Sequence, residues 1–472
     1  MATPIINAQL DAMNETLIRI ANNLGAYDSP ATWAAIQARV RANIIGQLVQ
    51  PGDQLTAEMA ETLTVTCSGT GVTSATVSKD TFLAAAGTHH RDYAFSYDGS
   101  MWRYLGEAVT LSDYGITITT GTAAEGDVID VHRTATAYDF DVEGIDQEIP
   151  ANSQYKHVLS LIMHPVYIQQ VFDPPQYLYA VTAAQWPTGM PAGTYTITLN
   201  NGAYDGGITQ DGTYAFTTTK VIPVGGGIRH SSIGVSQSGS YTKAQITGGT
   251  FTTYEADGLT TLESGLATTE SDTGTSLGTA TCKDPQYTSG DYINFTQRQA
   301  YGSGRWSTSW LRQWLNSDAA TCVWAPATIW SRPVSGTFEG FLHGLDPELR
   351  AVLGKIRKRY ALDIADGYGY EDIEDYVTLD TMLDVYGSQN NSISEGPVDG
   401  TGTVKRTTAM ALWAGSSQAD KIKYQGATAR YWWLGSSHPS LAYVERLVYT
   451  SGALYSHGAN CSYGVVPRLQ II

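Results

Sequence analysis

The stretch from Arg430 to Ile472 constrains the fold of this chain most. It opens with an aromatic block, Tyr431-Trp432-Trp433, and closes on an apolar run over 465–472 that is typical of a buried final strand. Between them lies a segment rich in Ser, Tyr, His, Gly and Asn, residue types that give binding surfaces large contact areas and adaptable hydrogen bonds. Alternation over 443–449 predicts a strand, with Tyr443, Glu445, Leu447 and Tyr449 on one face and Val444, Arg446 and Val448 on the other.

Three segments of this stretch carry a family resemblance: WWLGSS, YVERLVYTSGAL and SYGVVPRL. They resemble the variable region of proteins that retroelements diversify in gut bacteria and their phages. Those proteins have a C-type lectin-like fold, within the group that includes the formylglycine-generating enzymes. In that family an error-prone reverse transcriptase rewrites adenines in AAY codons, and the resulting residues form a ligand-binding surface on a rigid scaffold. The segments SWLRQWLNS and FLHGLDPELRAVL match the same kind of domain.

The resemblance implies a variable region at about 430–465. Changes in the first two bases of AAY cannot give Lys, Glu, Gln, Met or Trp, which puts Glu445 in doubt as a variable position. For each single position an ordinary loop or strand role stays open, since exposed Tyr and Ser are common. The predicted ligand-binding residues are Ser437, His438, Ser440, Leu441, Tyr443, Leu447, Tyr449, Tyr455, Ser456, His457, Gly458, Asn460, Cys461 and Tyr463.

Length and composition predict a multidomain, mainly β protein. A chain of 472 residues exceeds the usual size of one core, and its 48 Gly and 29 Tyr favour strands and turns. The net charge of −17 argues against a nucleic-acid surface. The four cysteines have no CxxC spacing, so we predict no zinc site, and no calcium pattern occurs; Cys282 and Cys322 fall in the same predicted domain. We predict no metal and no cofactor.

The predicted domains follow changes in pattern along the chain. Residues 1–53 predict two helices, over 1–25 and from Ser29 as N-cap with Pro30 at N1, which either mediate oligomerisation and attachment or pack on the next domain. Residues 54–145 predict a β-sandwich-like domain with strands at 62–66, 114–120 and 127–133. Residues 146–279 predict a second β module, with strands at 193–200 and 212–224 and a linker over 255–280.

Residues 280–472 predict an α+β C-terminal domain, which the resemblance makes C-type lectin-like. Helices are expected over 309–317 and after Asp346, which caps the second helix with Pro347 at N1. The basic cluster Lys355–Arg359 is interpreted as the solvated face of a helix. The acidic run 371–375 has no visible partner, and we interpret it as a solvated loop.

The function implied by the resemblance is that of a phage virion adhesin that binds a host-cell surface receptor, either protein or glycan. The N-terminus has no signal-peptide pattern and no apolar run could span a membrane, so we expect a chain made in the cytoplasm and assembled into a virion. Other virion proteins are expected to bind the N-terminal helices, and a homotrimer is expected. The alternatives are a structural head-fibre or decoration protein and, with less support, a tail-associated glycan depolymerase. We expect no enzymatic activity.

Overall fold

The computed structural model describes residues 32–86, 92–200, 212–232, 246–258, 260–281, 298, 301–322, 334 and 338–472. Within these residues the chain is mainly β and forms several separate sheets. The predicted helix over 1–25, the predicted cap at Ser29 and Pro30, and Cys282 lie outside the described residues.

The first part of the chain centres on two long antiparallel strands, β1 and β7, which pair from Gln54↔Asp141 to Ser68↔Val128. The predicted strand at 62–66 lies within β1, the one at 127–133 overlaps the start of β7, and the one at 114–120 overlaps β6. The elements are α1 (Trp33–Arg41), β1 (Gln54–Ser68), β2 (Val72–Val77), α2 (Lys79–Ala86), β3 (Asp92–Tyr97), β4 (Trp102–Tyr104), β5 (Glu107–Val109), β6 (Ile116–Gly121) and β7 (Val128–Ile145).

The middle part contains two four-stranded sheets, in the orders β10-β13-β14-β15 and β16-β12-β11-β17. The predicted strand at 193–200 is confirmed as β11, and the one predicted over 212–224 ends at Thr218. The elements are β8 (Leu159–Met163), β9 (Ile168–Val171), β10 (Tyr179–Ala180), β11 (Gly193–Asn200), β12 (Gly212–Thr218), β13 (Gly227–His230), β14 (Thr250–Tyr254), β15 (Thr261–Ala267), β16 (Thr269–Glu270) and β17 (Thr275–Thr281).

The predicted linker over 255–280 is wrong, because β15, β16 and β17 occupy most of it. β17 pairs in parallel with β11, starting at Tyr195↔Thr275, and β15 pairs with β14. The threonines that suggested a flexible segment are β-branched, and such residues suit a pleated strand.

The last part mixes short helices with strands. The elements are α3 (Trp310–Leu315), α4 (Phe341–Gly344), α5 (Pro347–Val352), β18 (Ile356–Ala361), β19 (Tyr370–Asp375), β20 (Val377–Thr378), α6 (Met382–Tyr386), β21 (Lys423–Gln425), β22 (Thr428–Arg430), β23 (Trp432–Ser437), β24 (Val444–Val448), β25 (Leu454–Gly458), β26 (Ser462–Val465) and β27 (Arg468–Ile471). The predicted final strand is confirmed: β27 is buried and pairs with β8.

Two predicted helices of this part are confirmed, and so is the predicted cap of the second one. The Ser309 side chain accepts a hydrogen bond from the N–H of Arg312 at the start of α3 (3.1 Å). Asp346 accepts one from the N–H of Glu348, and Pro347 is the first residue of α5. Four residues after α5, Ile356 begins β18.

The helix predicted for Lys355–Arg359 and the loop predicted for 371–375 are both wrong. The two segments pair with each other as β18 and β19. Arg357 donates to Glu374 (2.8 Å) and Arg359 donates to Asp372 (2.7 Å), so the basic and acidic runs are each other's partners.

Helix α1 packs on the C-terminal part of the chain. Its described part begins at Trp33, and the Thr32 side chain accepts a hydrogen bond from the N–H of Ala35. Trp33, Ile36 and Val40 are buried, and the Gln37 side chain donates to the carbonyl of Ile472 (2.8 Å). The buried face of this helix therefore packs within the chain.

The largest hydrophobic core crosses the predicted boundaries at 53/54, 145/146 and 279/280. It joins α1 and the ends of β1 and β7 with β8, β9 and most of the C-terminal part. Two smaller cores match the centres of the two predicted β modules, one around Phe95 and Ile129 and one around Tyr214 and Phe251.

A buried ionic network lies inside this large core. Its members are Arg468, Lys358, Arg406, Glu143, Glu148, Asp380 and Asp384. Arg468 is fully buried, contacts Glu143 and donates to Glu148 (2.8 Å). Burial, followed by the charge of Glu143, raises the pKa of Asp380 well above its usual value. Burial therefore disfavours the ionised form of Asp380 within this network.

Candidate ligand-binding surface

The predicted variable region forms most of one five-stranded sheet, in the order β25-β24-β23-β26-β9. β23 is entirely buried and lies at its centre, while β25 is an edge strand that pairs only with β24. The register places Leu447 opposite both Trp433 and Tyr455, and Glu445 opposite His457. This register agrees with the alternation predicted for 443–449.

A sharp turn joins β24 to β25. Gly452 has a φ of 80°, and its N–H donates to the carbonyl of Tyr449 (2.8 Å). A Cβ atom at this position would lie 1.6 Å from the carbonyl oxygen of Gln418. The Tyr386 hydroxyl donates to the Gly452 carbonyl (2.8 Å). The hairpin is therefore attached firmly to the body of the domain.

Five aromatic side chains of this sheet form a continuous group, called the aromatic cluster: Tyr431, Tyr449, Tyr455, His457 and Tyr463. Ring centroids are 4.6 Å apart for Tyr431 and Tyr449, and 5.0 Å for Tyr431 and Tyr463. Tyr455 lies 5.4 Å from Tyr449, and His457 lies 5.2 Å from Tyr463. Tyr455 is half exposed, and the other four are partly buried.

The aromatic cluster rests on the core through Trp433. The ring of this fully buried tryptophan lies 5.1 Å from Tyr463 and 5.8 Å from Phe172. The indole N–H of Trp433 donates to the carbonyl of Gln170 in β9 (2.9 Å), which fixes the orientation of the ring. Aromatic contacts thus run without a break from the core to the solvent-facing ring of Tyr455.

Two hydroxyl groups of the aromatic cluster have raised pKa values. A hydrogen bond with Tyr449, together with burial, raises the pKa of Tyr431 to about 12. Burial raises the pKa of Tyr463 as well. The cluster offers a ligand aromatic rings together with hydroxyls, which can donate and accept hydrogen bonds.

A second group of predicted residues surrounds Tyr443. Its ring lies 5.3 Å from that of Tyr301, and the N–H of Asn460 donates to the Tyr301 carbonyl (2.9 Å). Ser440 and Leu441 are exposed in the preceding loop. Gly458 and Cys461 are partly buried beside Asn460.

Ser456 faces away from the aromatic cluster, because its neighbours Tyr455 and His457 belong to it. Its hydroxyl accepts a hydrogen bond from the Arg446 side chain (2.9 Å). His438 also lies near Arg446, and burial, followed by that charge, lowers the pKa of His438 to about 4. The predicted single surface is therefore divided among the aromatic cluster, the Tyr443 group and this reverse face.

Two predicted surface positions are wrong. Leu447 is fully buried, because it packs between β23 and β25 in the large core. Ser437 is also buried, and its hydroxyl donates to the carbonyl of Ala361 (2.7 Å). Glu445, which codon chemistry had put in doubt, is fully buried too.

Three contributing residues were missing from the predicted set: Tyr431, Trp433 and Tyr301. The alternation of Tyr431 and Trp433 along β23 could have placed both on the face of Tyr449. Tyr301 lies far upstream in the sequence, where no local pattern connects it with Tyr443.

Metal and cysteine chemistry has little support in the described part of the chain. Across these residues, no group of three or more His, Cys, Asp or Glu side chains could hold a metal ion. Cys67, Cys322 and Cys461 are free thiols.

No described helix is long and apolar enough to cross a membrane.

Residues 288–471 match the model of a domain of unknown function, DUF6273. The matched segment contains the whole aromatic cluster and every strand of its sheet except β9. No curated protein and no solved structure matches the chain.

Proposed function

We propose that this protein is a phage virion adhesin that binds a receptor on the surface of its host cell through the aromatic cluster. The observation that carries the proposal is the half-exposed ring of Tyr455 on an edge hairpin, backed by aromatic contacts down to Trp433. Tyrosine supplies large contact area at low cost in conformational entropy. The receptor is a protein or a glycan of the cell surface.

The proposal includes a C-type lectin-like fold for the C-terminal part and retroelement-driven variation at its surface positions. It is supported by the resemblance of residues 432–469 to that family and by a mixed sheet flanked by short helices. Within the predicted set, the partly or fully exposed positions are the ones proposed to vary. Leu447 and Ser437 belong to the framework.

The side chains of the aromatic cluster are held rigidly, which reduces the conformational entropy lost when a receptor binds. The cluster tyrosines are already in mutual contact, and the turn at Gly452 packs closely on Gln418 and accepts a hydrogen bond from Tyr386. A receptor would therefore meet side chains whose positions are largely fixed before binding.

We also propose assembly into a homotrimer and attachment to other virion proteins through the N-terminal residues. The apolar residues Ile6, Leu10, Met13 and Leu17 recur at helical spacing, which supports an interface of this kind. Three copies of a weak site would raise the overall affinity for a cell surface.

The test compares two tyrosines of equal exposure in the same part of the chain. Tyr455 is 50% exposed and Tyr370 is 51% exposed. Fluorescently labelled protein is added to cells that are sensitive to the virus encoding this chain, and binding is measured by flow cytometry. We expect Tyr455→Ala to weaken binding by about thirtyfold, as for a central aromatic contact, and Tyr370→Ala to leave it unchanged.

Melting temperatures of both variants are measured in parallel, and both should lie close to the parent value. Failure of the parent protein to stain sensitive cells would contradict the adhesin proposal and favour a structural virion protein. Equal binding by parent and Tyr455→Ala would remove the aromatic cluster from the site.

A further inference from the structure

A separate pocket of about 560 Å³ opens between the start of β1, the connection from β8 to β9, and the segment that leads into β21. Its lining includes Gln54, Asp141, His164, Lys423 and Tyr424. None of these residues belongs to the aromatic cluster or to the predicted variable positions. The volume is within the range of small-molecule sites in proteins.

The floor of the pocket is a buried ion pair. The Lys423 ammonium donates to Asp141 (3.0 Å) and to the carbonyl of Met163 (3.0 Å), and it lies 5.5 Å from the centre of the Trp413 ring. Asp141 is only 8% exposed. With its charge paired and two of its donors bound, Lys423 does not offer the pocket a free cation.

Asp141 also orients two side chains on the pocket wall. It accepts hydrogen bonds from Nδ1 of His164 (2.8 Å) and from Nε2 of Gln54 (3.0 Å). Because Nδ1 is held in this way, the other ring nitrogen of His164, Nε2, is directed away from Asp141. The His164 side chain is 56% exposed, so this nitrogen is accessible. The amide oxygen of Gln54 is likewise left as an acceptor.

The chemistry of the wall selects a neutral, hydroxyl-rich ligand. Among the described lining residues Lys423 is the one Lys or Arg, and it is paired with Asp141, while Asp420 adds a second carboxylate. The wall therefore offers an anion no unpaired Lys or Arg side chain. Tyr424 is 48% exposed and offers a ring face beside the hydrogen-bonding atoms of His164 and Gln54. Apolar ring faces combined with a few placed polar groups are typical of sites for small ligands.

We infer that this pocket is a second binding site, which takes a neutral pyranose sugar. The sugar ring packs on Tyr424, and its hydroxyls hydrogen-bond to His164 and Gln54. The inference is independent of the aromatic cluster, since the two sites share no residue.

The inference is tested by saturation-transfer NMR on the full chain with three probes: the methyl glycosides of glucose, galactose and mannose. At least one should receive saturation. Tyr424→Ala and Gln54→Ala should each weaken its binding by about fivefold or more, since each removes a direct contact. Tyr370→Ala, an exposed tyrosine outside the pocket, should bind as the parent does. Glucuronic acid should bind more weakly than the neutral probes.

The absence of saturation transfer to all three neutral probes would overturn the inference. Unchanged affinity in Gln54→Ala would overturn it as well, and this exposed residue at the start of β1 provides the test even if Tyr424→Ala does not fold. Tighter binding of glucuronic acid would show that the ligand class is wrong. Cell binding through Tyr455 is measured separately, so neither result depends on the other.

Discussion

Glu445 is a buried residue in the same sheet that carries the candidate surface residues. It lies in β24 opposite the partly exposed His457, yet it is fully buried. Among the described residues, no hydrogen bond of good geometry reaches its carboxyl oxygens. Burial, and next the charge of Glu395, raise the pKa of Glu445 well above its usual value, while the charge of Arg446 acts in the opposite direction. Burial therefore disfavours the ionised form of Glu445.

A pH dependence of stability follows from this raised pKa. Below the pKa that Glu445 has in the unfolded chain, the folded and unfolded states both carry its proton, and Glu445 then contributes most favourably to the free energy of unfolding. That contribution is lost as the pH rises towards the pKa of Glu445 in the folded state. We expect Glu445→Met to raise the free energy of unfolding by about 1–3 kcal/mol at pH 8 and by less at pH 5. Urea unfolding at the two pH values measures the difference.

The control for this change is Glu107→Met, at an exposed glutamate in β5. It should alter stability by about 0.5 kcal/mol or less at both pH values. If Glu445→Met raised the free energy of unfolding no more at pH 8 than at pH 5, that result would contradict a raised pKa for Glu445.

At the scale of elements, the hairpin of β24 and β25 depends on one glycine. A side chain at Gly452 would meet the Gln418 carbonyl and would also have to adopt a positive φ. We expect Gly452→Ala to lower the free energy of unfolding by about 3 kcal/mol or more, because strain and collision add. Thermal and urea unfolding measure the loss.

Gly369 provides the matched glycine for this experiment. It has a φ of 85° and lies just before β19, and a Cβ atom at this position would have no other atom within 4 Å. Gly369→Ala should therefore show the backbone strain alone, about 1 kcal/mol. Equal losses for the two variants would mean that contact with Gln418 does not hold the hairpin.

Local sequence patterns predicted many of these elements. The predictions that were wrong or missing concern contacts between segments far apart in the sequence. Alternation and capping residues were enough for β11, α3 and α5, because their signals lie within each segment. The basic run 355–359 and the acidic run 371–375 were each interpreted alone as solvated, although each supplies the partner of the other. Tyr301 was missed beside Tyr443 for the same reason: the contact joins segments far apart in sequence.

At the scale of the whole molecule, the C-terminal part is completed by strands from upstream. β8 pairs with β27, and β9 pairs with β26 at the edge of the sheet that carries the aromatic cluster. Composition and turn signals predicted the mainly β character, but no local signal assigns 159–171 to a core built mainly after residue 300. The predicted boundary at 280 therefore omits two strands of that core.

A truncation experiment tests this arrangement. We expect residues 280–472 expressed alone to show no cooperative thermal transition by circular dichroism, because β26 and β27 would lose their partners and expose apolar surface. Residues 32–472, which retain β8 and β9, should unfold cooperatively. A soluble, cooperative 280–472 fragment would show that the upstream strands are dispensable.

The position of β25 at the margin of its sheet has a consequence for how this protein can change over generations. Tyr455 contacts the ring of Tyr449 in the adjacent strand and is half exposed, so exchanging it would disturb few other side chains. If the proposed function holds, a lineage could alter Tyr455 repeatedly while the buried Trp433 and Leu447 keep the domain intact.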